Sequence, residues 1–463
     1  MNYNAEELAK QLLYKKKSVY AQKTEDHVDK AYGFAVGYAA YLDAAKTERE
    51  AVKESIRLAS AEGFVPYALG DELVSGGKYY YNNRGKSLYL FTVGSEPLEC
   101  GIRISAAHID APRLDLKQCP LYEEGGMSFF KTHYYGGIRK YQWVATPLAL
   151  HGVIVKKDGT TVEVTVGEDD SDPIFYINDL LPHLGAESSK KPLGEAIPGE
   201  KLNILVGSRP LEGDEKNSIK LNTMLLLHEK YGVTEEDFLS AELCVVPAQK
   251  ARDVGFDRSM IGAYGHDDRV CAYPALSAIF NAADSKHTLM CVLADKEETG
   301  SDGNTGMKSF IFPDLIDAIS ATRGADPAVV RANSKCLSAD VSAAFDPNFA
   351  DVYEKRNTPL LSAGVVLTKF TGSRGKSGTN DASAEYIGWL RRVMEDAGVI
   401  WQAGELGKVD CGGGGTVAKF IAGYNIETVD LGVPVISMHA PCEVISKVDL
   451  YEAYRAFCAF CLA

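Results

Sequence analysis

One apolar run that ends in two adjacent carboxylates constrains the fold of this chain more than any other stretch. Leu289 to Ala294 is apolar throughout, and the run is followed by Glu297 and Glu298 and then by Gly300 and Gly303. An uninterrupted apolar run of this length is typical of a strand buried on both faces of a sheet. Catalytic groups of open α/β sheets collect at the carboxyl ends of such strands. The run therefore predicts an α/β protein with a functional site beyond Ala294.

The paired carboxylates Glu297 and Glu298 indicate a metal site. Two neighbouring carboxylates repel each other, and burial raises their pKa values unless cations hold them in the charged form. A bound metal would satisfy both requirements. The alternative is a solvated turn that carries no chemistry.

The rest of the chain is patterned as α/β at both ends with a β-rich block between them. Residues 1–65 carry helical patterning, residues 119–135 are aromatic and irregular, and residues 142–167 predict a β-hairpin around the turn KKDGTT. Later patterns predict, in order, a buried strand at 241–248, a helix from Asp267 to Ala283, a helix from Ala382 to Ala397 and a strand at 427–440.

An insertion within one α/β domain explains this order better than three domains in series. We assign residues 1–118 and 241–463 to a catalytic α/β domain, built as a mixed sheet flanked by helices. Residues 119–240 then form an inserted β-rich domain.

Composition excludes several classes of partner. The net charge of −14 over 463 residues argues against a nucleic-acid partner and against a basic membrane-binding face. No stretch approaches the ~18 apolar residues of a membrane span, and the first twenty residues lack the apolar segment of a signal peptide. The ten cysteines are scattered, so we expect reduced thiols and a cytoplasmic protein. Cys458 and Cys461 form a CxxC on a helical pattern, where we expect core packing.

Further polar residues follow predicted strands or begin a predicted helix: His108, Asp110, Asp267, Asp340 and His439. In SAAHIDAPRLDL, strand alternation places His108 and Asp110 on one face, where the carboxylate can accept the second ring N–H of a metal-bound imidazole. No pair has the short spacing of a zinc finger. Taken singly, Asp267 is also explained as a helix N-cap and His439 as a core histidine.

Charge counting favours two metal ions. Two divalent cations bring four positive charges, and Asp267, Glu298 and Asp340 supply three negative ones. A bridging hydroxide would neutralise the fourth. Glu297 is then left outside the ligand set and free to act as a general base.

Five short blocks, in this order along nearly the whole chain, resemble the aspartyl aminopeptidase family of dinuclear zinc exopeptidases, and the likeness is closest to its bacterial aminopeptidase 1 subgroup. The blocks are SAAHIDAPRLDLK, the HDDR helix start, KEETGS, LSADVSAAFDPNF and SMHAPCEV. The resemblance implies a zinc-exopeptidase catalytic domain with two zinc ions per subunit, which cobalt or manganese can replace. His108 and Asp340 would bind one ion, Glu298 and His439 the other, and Asp267 would bridge them.

The resemblance also implies roles outside the ligand set. Glu297 would deprotonate the bridging water and pass the proton to the leaving amine, and Asp110 would orient His108. The middle block would be a dimerisation domain, and dimers would assemble into a homododecamer. His183, in LLPHLG, matches a histidine that the family sends across the dimer into the partner's active site. A surface-loop position is the alternative for His183.

The implied activity is hydrolysis of the N-terminal residue from peptides, with Asp or Glu as the preferred residue. A lysine would then meet the acidic side chain, and Lys369 is the candidate, with Lys376 and Arg374 as rivals. The chain departs from the family around TGSRGKSGTNDAS and at Pro441 and Cys442. The alternatives are a broad-specificity aminopeptidase of the leucyl or glutamyl type, an aminoacylase or deacetylase with the same dinuclear site, and a non-catalytic assembly protein, against which the intact Glu297 argues.

Overall fold

The structure is a computed structural model that describes residues 4–213, 216–282 and 284–463. The predicted helical region 1–65 contains four helices. The predicted end of the helix from Asp267, at Ala283, lies outside the described residues. Over these ranges the helices are α1 (Ala5–Leu12), α2 (Val19–Gln22), α3 (Glu25–Ala44), α4 (Glu48–Ala61), α5 (Leu193–Ala196), α6 (Ser218–Tyr231), α7 (His266–Asn281), α8 (Ile311–Thr322), α9 (Pro327–Asn333), α10 (Ala384–Asp396), α11 (Ala418–Ala422) and α12 (Lys447–Leu462). None of the helices in the described ranges is long and apolar enough to cross a membrane.

The strands of the described residues form three sheets. The nine-stranded sheet contains β1 (Val65–Pro66), β2 (Lys78–Asn83), β3 (Ser87–Thr92), β4 (Ile102–His108), β13 (Thr288–Ala294), β14 (Lys335–Ser338), β16 (Val365–Thr368), β17 (Trp401–Ala403) and β18 (Glu427–Gly432). The six-stranded sheet contains β5 (Arg113–Glu124), β6 (Met127–Tyr135), β7 (Leu148–Val155), β8 (Thr161–Val166), β9 (Ile204–Gly207) and β10 (Ala241–Pro247). The five-stranded sheet contains β11 (Arg252–Val254), β12 (Met260–Ala263), β15 (Ser342–Ala343), β19 (Pro434–Ile436) and β20 (Glu443–Ser446).

The nine-stranded sheet confirms the predicted mixed sheet flanked by helices. Its order is β1-β2-β3-β13-β4-β14-β18-β16-β17. The central strands β13, β4, β14 and β18 run parallel, whereas β3 is antiparallel to β13 and β16 is antiparallel to β18. The carboxyl ends of the four parallel strands therefore lie side by side at the same end of these strands.

The alternation of β13 explains why its sequence is apolar throughout. Leu289, Cys291 and Leu293 pack into the core on one face of the sheet, beneath α3, α7 and α12. Met290 and Val292 pack into the core on the other face, against side chains of α8 and α11. Both faces are covered, so neither set of side chains meets water.

The six-stranded antiparallel sheet has the order β8-β7-β10-β5-β6-β9 and contains the block that the sequence predicts to be an insertion, so we call it the inserted sheet. The β7–β8 hairpin is as predicted. The irregular structure expected at 119–135 is wrong, because this stretch forms most of the β5–β6 hairpin. Gly125 and Gly126 make its tight turn with φ angles of 60° and 77°, which suit glycine. The strand predicted at 241–248 is β10, which joins this sheet, so the sheet extends beyond 119–240 at both ends.

A buried charged cluster joins the inserted sheet to the helical layer of the main domain. Lys46, between α3 and α4, pairs with Glu168 at 2.7 Å, and its Nζ donates to the backbone oxygens of Pro247 (2.8 Å) and Gln249 (3.1 Å). His151 of β7 lies between Glu168 and Glu50 of α4, at 2.9 Å and 2.7 Å. We call Lys46, Glu50, His151 and Glu168 the joint cluster.

The single strand predicted at 427–440 is wrong, because the chain divides it between two sheets. Strand β18 pairs with β14 and β16, whereas β19 pairs with β15 and β20. The crossing begins at Gly432, where a Cβ atom would lie 1.7 Å from the carbonyl oxygen of Asp340. Only a glycine allows the two backbones to pass this closely.

Candidate metal centre

The ends of three parallel strands place the predicted polar residues together. His108 is the last residue of β4 and lies beside Ala294 of β13 in the sheet register. Glu297 and Glu298 follow β13 in a short 3₁₀ turn, and Asp340 follows β14 by two residues. Each of these side chains therefore lies at the carboxyl ends of the parallel strands, on the same side of the sheet.

Five of the residues singled out in the sequence form two overlapping groups of potential ligands. One group is His108, Asp267 and Asp340, the other is Asp267, Glu298 and His439, and the ligand atoms within each group lie within 4.8 Å of one another. Asp267 belongs to both. Its Oδ1 is 3.1 Å from His108 Nε2, and its Oδ2 is 3.1 Å from His439 Nε2. One carboxylate thus faces two separate imidazoles, as a ligand shared between two ions does.

The donor set fits zinc. Asp267 Oδ1 and Glu298 Oε1 are buried and have no hydrogen-bond partner among the described residues. Buried carboxylate oxygens without partners are costly, and a cation removes that cost. Imidazole nitrogens with carboxylate oxygens are a donor set that zinc accepts.

The electrostatics of this cluster also call for positive charge. Burial raises the pKa of Glu297 to about 7, and burial together with repulsion from neighbouring carboxylates raises the pKa values of Glu298 and Asp340 well above their usual range. Burial also raises the pKa of Asp267, but the two histidines that face its carboxylate outweigh this effect and leave its pKa low. Divalent cations would favour the charged form of every carboxylate here.

Asp110 ties His108 to the turn that carries the glutamates. Its carboxylate accepts hydrogen bonds from the backbone N–H groups of Glu297 (3.1 Å) and Glu298 (3.2 Å). The Nδ1 of His108 lies 3.0 Å from the backbone oxygen of Asp110 and 3.4 Å from its carboxylate. A third donor to this carboxylate is the hydroxyl of Tyr135, at 2.7 Å. Asp110 is fully buried, so these contacts fix its orientation.

Glu443 is a part of the centre that sequence reasoning missed. Its carboxylate accepts from the backbone N–H groups of His439 at 2.7 Å and Asp267 at 3.1 Å, so it holds two candidate ligands together. Burial, with repulsion from Asp267, raises the pKa of Glu443 to about 8. The signal in the sequence was an acidic residue in an otherwise uncharged stretch, APCEVIS, four residues after His439.

A cavity of about 480 Å³ opens beside these groups. Its volume is within the range of small-molecule sites. Glu297 lines it together with the candidate ligands. Across the cavity lie residues of mixed character: Thr368, Thr371, Leu406, Lys419, Phe420 and Met438.

In the described structure, four other candidate residues from the sequence do not line this cavity. Lys369 and Lys376 both pair with Asp381, the latter at 2.9 Å. Arg374 lies with Lys376 at a separate, smaller pocket. His183 lies in an exposed turn of the inserted sheet and does not line the cavity of its own subunit.

Comparisons with known proteins show similarity to one family of metalloproteases. The profile of the family described as aminopeptidase I zinc metalloprotease (M18) matches residues 41–461. A protein from Clostridium acetobutylicum described as an M18 family aminopeptidase 1 is 50% identical over 458 residues, covering 97% of this chain and 98% of its own. A crystal structure of an M18 aminopeptidase from Thermotoga maritima superposes with a TM-score of 0.93 at 44% identity, covering 97% of this chain and 99% of that one. The dodecamer of mApe1 from S. cerevisiae shares the fold, with a TM-score of 0.76 at 21% identity over 94% of this chain and 97% of that one.

Proposed function

The chain belongs to the M18 family of zinc metalloprotease aminopeptidases, and on this premise we propose that it holds two zinc ions and removes the N-terminal residue from peptides. His108 and Asp340 would hold one ion, Glu298 and His439 would hold the other, and Asp267 would be shared between them. The observation that carries this proposal is the Asp267 carboxylate, whose two oxygens each face a different histidine at 3.1 Å.

When bound, the ions polarise the scissile carbonyl and make water a stronger nucleophile at neutral pH. Glu297 takes the proton from the attacking water and delivers it to the leaving amine. It lines the cavity but belongs to neither ligand group, and its backbone N–H is fixed on Asp110 at 3.1 Å. Asp110 in turn holds His108 in the orientation that presents Nε2 to the ion.

For the side-chain preference, the contacts favour a broad aminopeptidase over a strictly acidic one. Recognition of Asp or Glu requires a cation that is free to face the substrate. Lys369 and Lys376, the candidates for that contact, are both paired with Asp381. The cavity is lined by Leu406 and Phe420, which suit uncharged side chains, and also by Lys419, which can meet an acidic one. A contact of Lys369 or Lys376 with an acidic substrate would require that lysine to leave Asp381.

For the assembly, we propose that the inserted sheet forms a dimer and that dimers form a dodecamer, as mApe1 does. Support comes from large apolar side chains that are exposed on the insertion: Leu180, Leu181, Leu184, Leu221 and Leu226. His183 lies within the first of these stretches, which supports the proposal that it crosses such an interface into the active site of the partner subunit.

The matched variants Glu297→Gln and Glu298→Gln test the assignment of roles. Glu297→Gln should retain two zinc ions per chain by elemental analysis and lose hydrolysis of leucyl-p-nitroanilide by about 10²–10⁴-fold, because only the proton acceptor is removed. Glu298→Gln should lose zinc, because a neutral amide replaces a charged ligand. Glu187→Gln, at an exposed surface ion pair, is the control. Near wild-type turnover by Glu297→Gln would refute the general-base role.

A substrate panel separates the function classes. The panel contains the leucyl, alanyl, aspartyl and glutamyl p-nitroanilides and their N-acetylated counterparts. We expect cleavage of the leucyl and alanyl substrates that carry a free amine. Cleavage of the acidic pair alone would establish the aspartyl preference and contradict our proposal. Release of p-nitroaniline from the N-acetylated compounds would show that no free amine is required, and release of acetate from free N-acetyl amino acids would indicate an aminoacylase.

A further inference from the structure

We propose that the segment Tyr135–Gly137, at the end of the inserted sheet's strand β6, positions both metal-ligating histidines of its own subunit. This inference rests on the proposed two-zinc site. It gives the insertion a role within each active site that is separate from any role in assembly.

Tyr135 acts on the first histidine through Asp110. Its hydroxyl donates to Asp110 Oδ2 at 2.7 Å, and Asp110 holds His108 by contacts at 3.0 Å and 3.4 Å. Burial raises the pKa of the Tyr135 phenol, so the hydroxyl keeps its proton and remains a donor. The ring itself is held in place by the guanidinium of Arg113, 4.2 Å from the ring centroid. Arg113 is anchored in turn by ion pairs to Glu48 (2.9 Å) and Asp115 (2.8 Å).

The consequence of this contact extends to the catalytic turn. The carboxylate that accepts from Tyr135 also accepts from the backbone N–H groups of Glu297 and Glu298. Rotation of Asp110 would therefore disturb a ligand histidine, a ligand glutamate and the proposed base together. Tyr135 is the contact from the inserted sheet that opposes this rotation.

Gly137 acts on the second histidine directly. Its carbonyl oxygen accepts from Nδ1 of His439 at 2.8 Å, which places the ring proton on Nδ1 and leaves Nε2 free for a metal. Space around Gly137 is ordinary, since a Cβ there would lie 3.5 Å from that Nδ1. Gly136 is more constrained, because its φ is 73° and a Cβ there would lie only 3.3 Å from the Glu298 side chain. A glycine at position 136 thus lets the segment pass beside the centre.

Tyr135→Phe is the decisive variant because it removes the hydroxyl and keeps the ring over Arg113. Tyr134→Phe is the matched control, since Tyr134 is the neighbouring strand residue, points to the other face and is 43% exposed. Zinc affinity is measured by competition with a chelator, and the cobalt-substituted proteins are compared by their visible absorption spectra.

For Tyr135→Phe we expect zinc affinity or kcat to fall by about 10–100-fold, the usual range for loss of a partner that orients a ligand. We also expect a changed cobalt spectrum and an unchanged KM, whereas Tyr134→Phe should match the wild type throughout. Equal zinc affinity, spectrum and kcat in the two variants would overturn the proposal. If Tyr135→Phe lowers the Tm of the metal-free protein, the rise in Tm on adding zinc still reports affinity, and a rise equal to the wild type's would also overturn it. Wild-type protein that binds fewer than two zinc ions would refute the proposed function instead.

Discussion

Replacing Lys46 by methionine should destabilise the protein because Lys46 holds the inserted sheet against the helical layer. Its side chain is 3% exposed, and its ammonium has three partners: Glu168, the Pro247 carbonyl and the Gln249 carbonyl. Methionine is of similar length and carries no donor. The change therefore leaves two carbonyls and a carboxylate with one fewer partner while it preserves most of the packing.

The size of the effect follows from the burial of these groups. Breaking a buried ion pair by removing one partner costs about 3–5 kcal/mol. Glu168 keeps His151 at 2.9 Å, which places the expected loss near the lower end, at about 3 kcal/mol. Unfolding entropy of ~2.1 cal/mol/K per residue gives about 1 kcal/mol/K for a chain of 463 residues, so the Tm should fall by about 3 °C.

Lys53→Met is the matched control for this measurement. Lys53 lies in α4 and pairs with Glu163 of the inserted sheet at 2.7 Å, but both side chains are more than two-thirds exposed. Exposed pairs contribute about 0–1 kcal/mol, so the Tm of this variant should change by about 1 °C or less. Thermal unfolding by differential scanning calorimetry compares the two. Equal shifts for Lys46→Met and Lys53→Met would refute the view that burial gives the joint cluster its strength.

Three further predictions concern the joint cluster and the metal centre. Burial lowers the pKa of His151 and two carboxylates raise it, with a net rise to about 9. Protonated His151 should therefore contribute about 3 kcal/mol to the free energy of unfolding, in full below pH ~6.5 and with loss as the pH rises through 9. The Tm of the wild type should fall over this range, and the Tm of His151→Gln should not. Gly432→Ala should reduce zinc content because the added Cβ would lie 1.7 Å from the carbonyl oxygen of Asp340 and would displace this proposed ligand. Gly388→Ala in α10, where the Cβ would have no neighbour within 4 Å, should leave zinc content unchanged. Asp267→Ala should lose both ions because its carboxylate faces both histidines, and two zinc ions retained per chain by elemental analysis would contradict the shared ligand.

Features determined by local sequence were predictable. The apolar run at 289–294 is the core of strand β13, and the glutamates follow its end as expected. His108 at the end of β4 and Asp340 after β14 obey the same rule. Periodicity fixes such strands, and parallel pairing then brings their ends together without further information.

Features that depend on contacts between distant parts of the chain were not predictable. The β5–β6 hairpin lacks clean alternation because its register shifts between Leu116 and Leu121, so the stretch appeared irregular. Tyr135 therefore showed no sign of its contact with Asp110. Glu443 holds Asp267, which lies 176 residues earlier in the chain, and periodicity carries no signal at that distance.

The distribution of the proposed ligands along the chain also determines when the enzyme can become active during its synthesis. His108 and His439 are roughly 330 residues apart, on opposite sides of the inserted block in sequence. At about 5–20 residues per second, the ribosome makes them about 15–65 s apart. Throughout that interval the growing chain holds an incomplete ligand set and no second histidine. With the proposed ligand set, the metal centre can form only after His439 and Glu443 have been made, late in synthesis, so the peptidase cannot hydrolyse peptides before then.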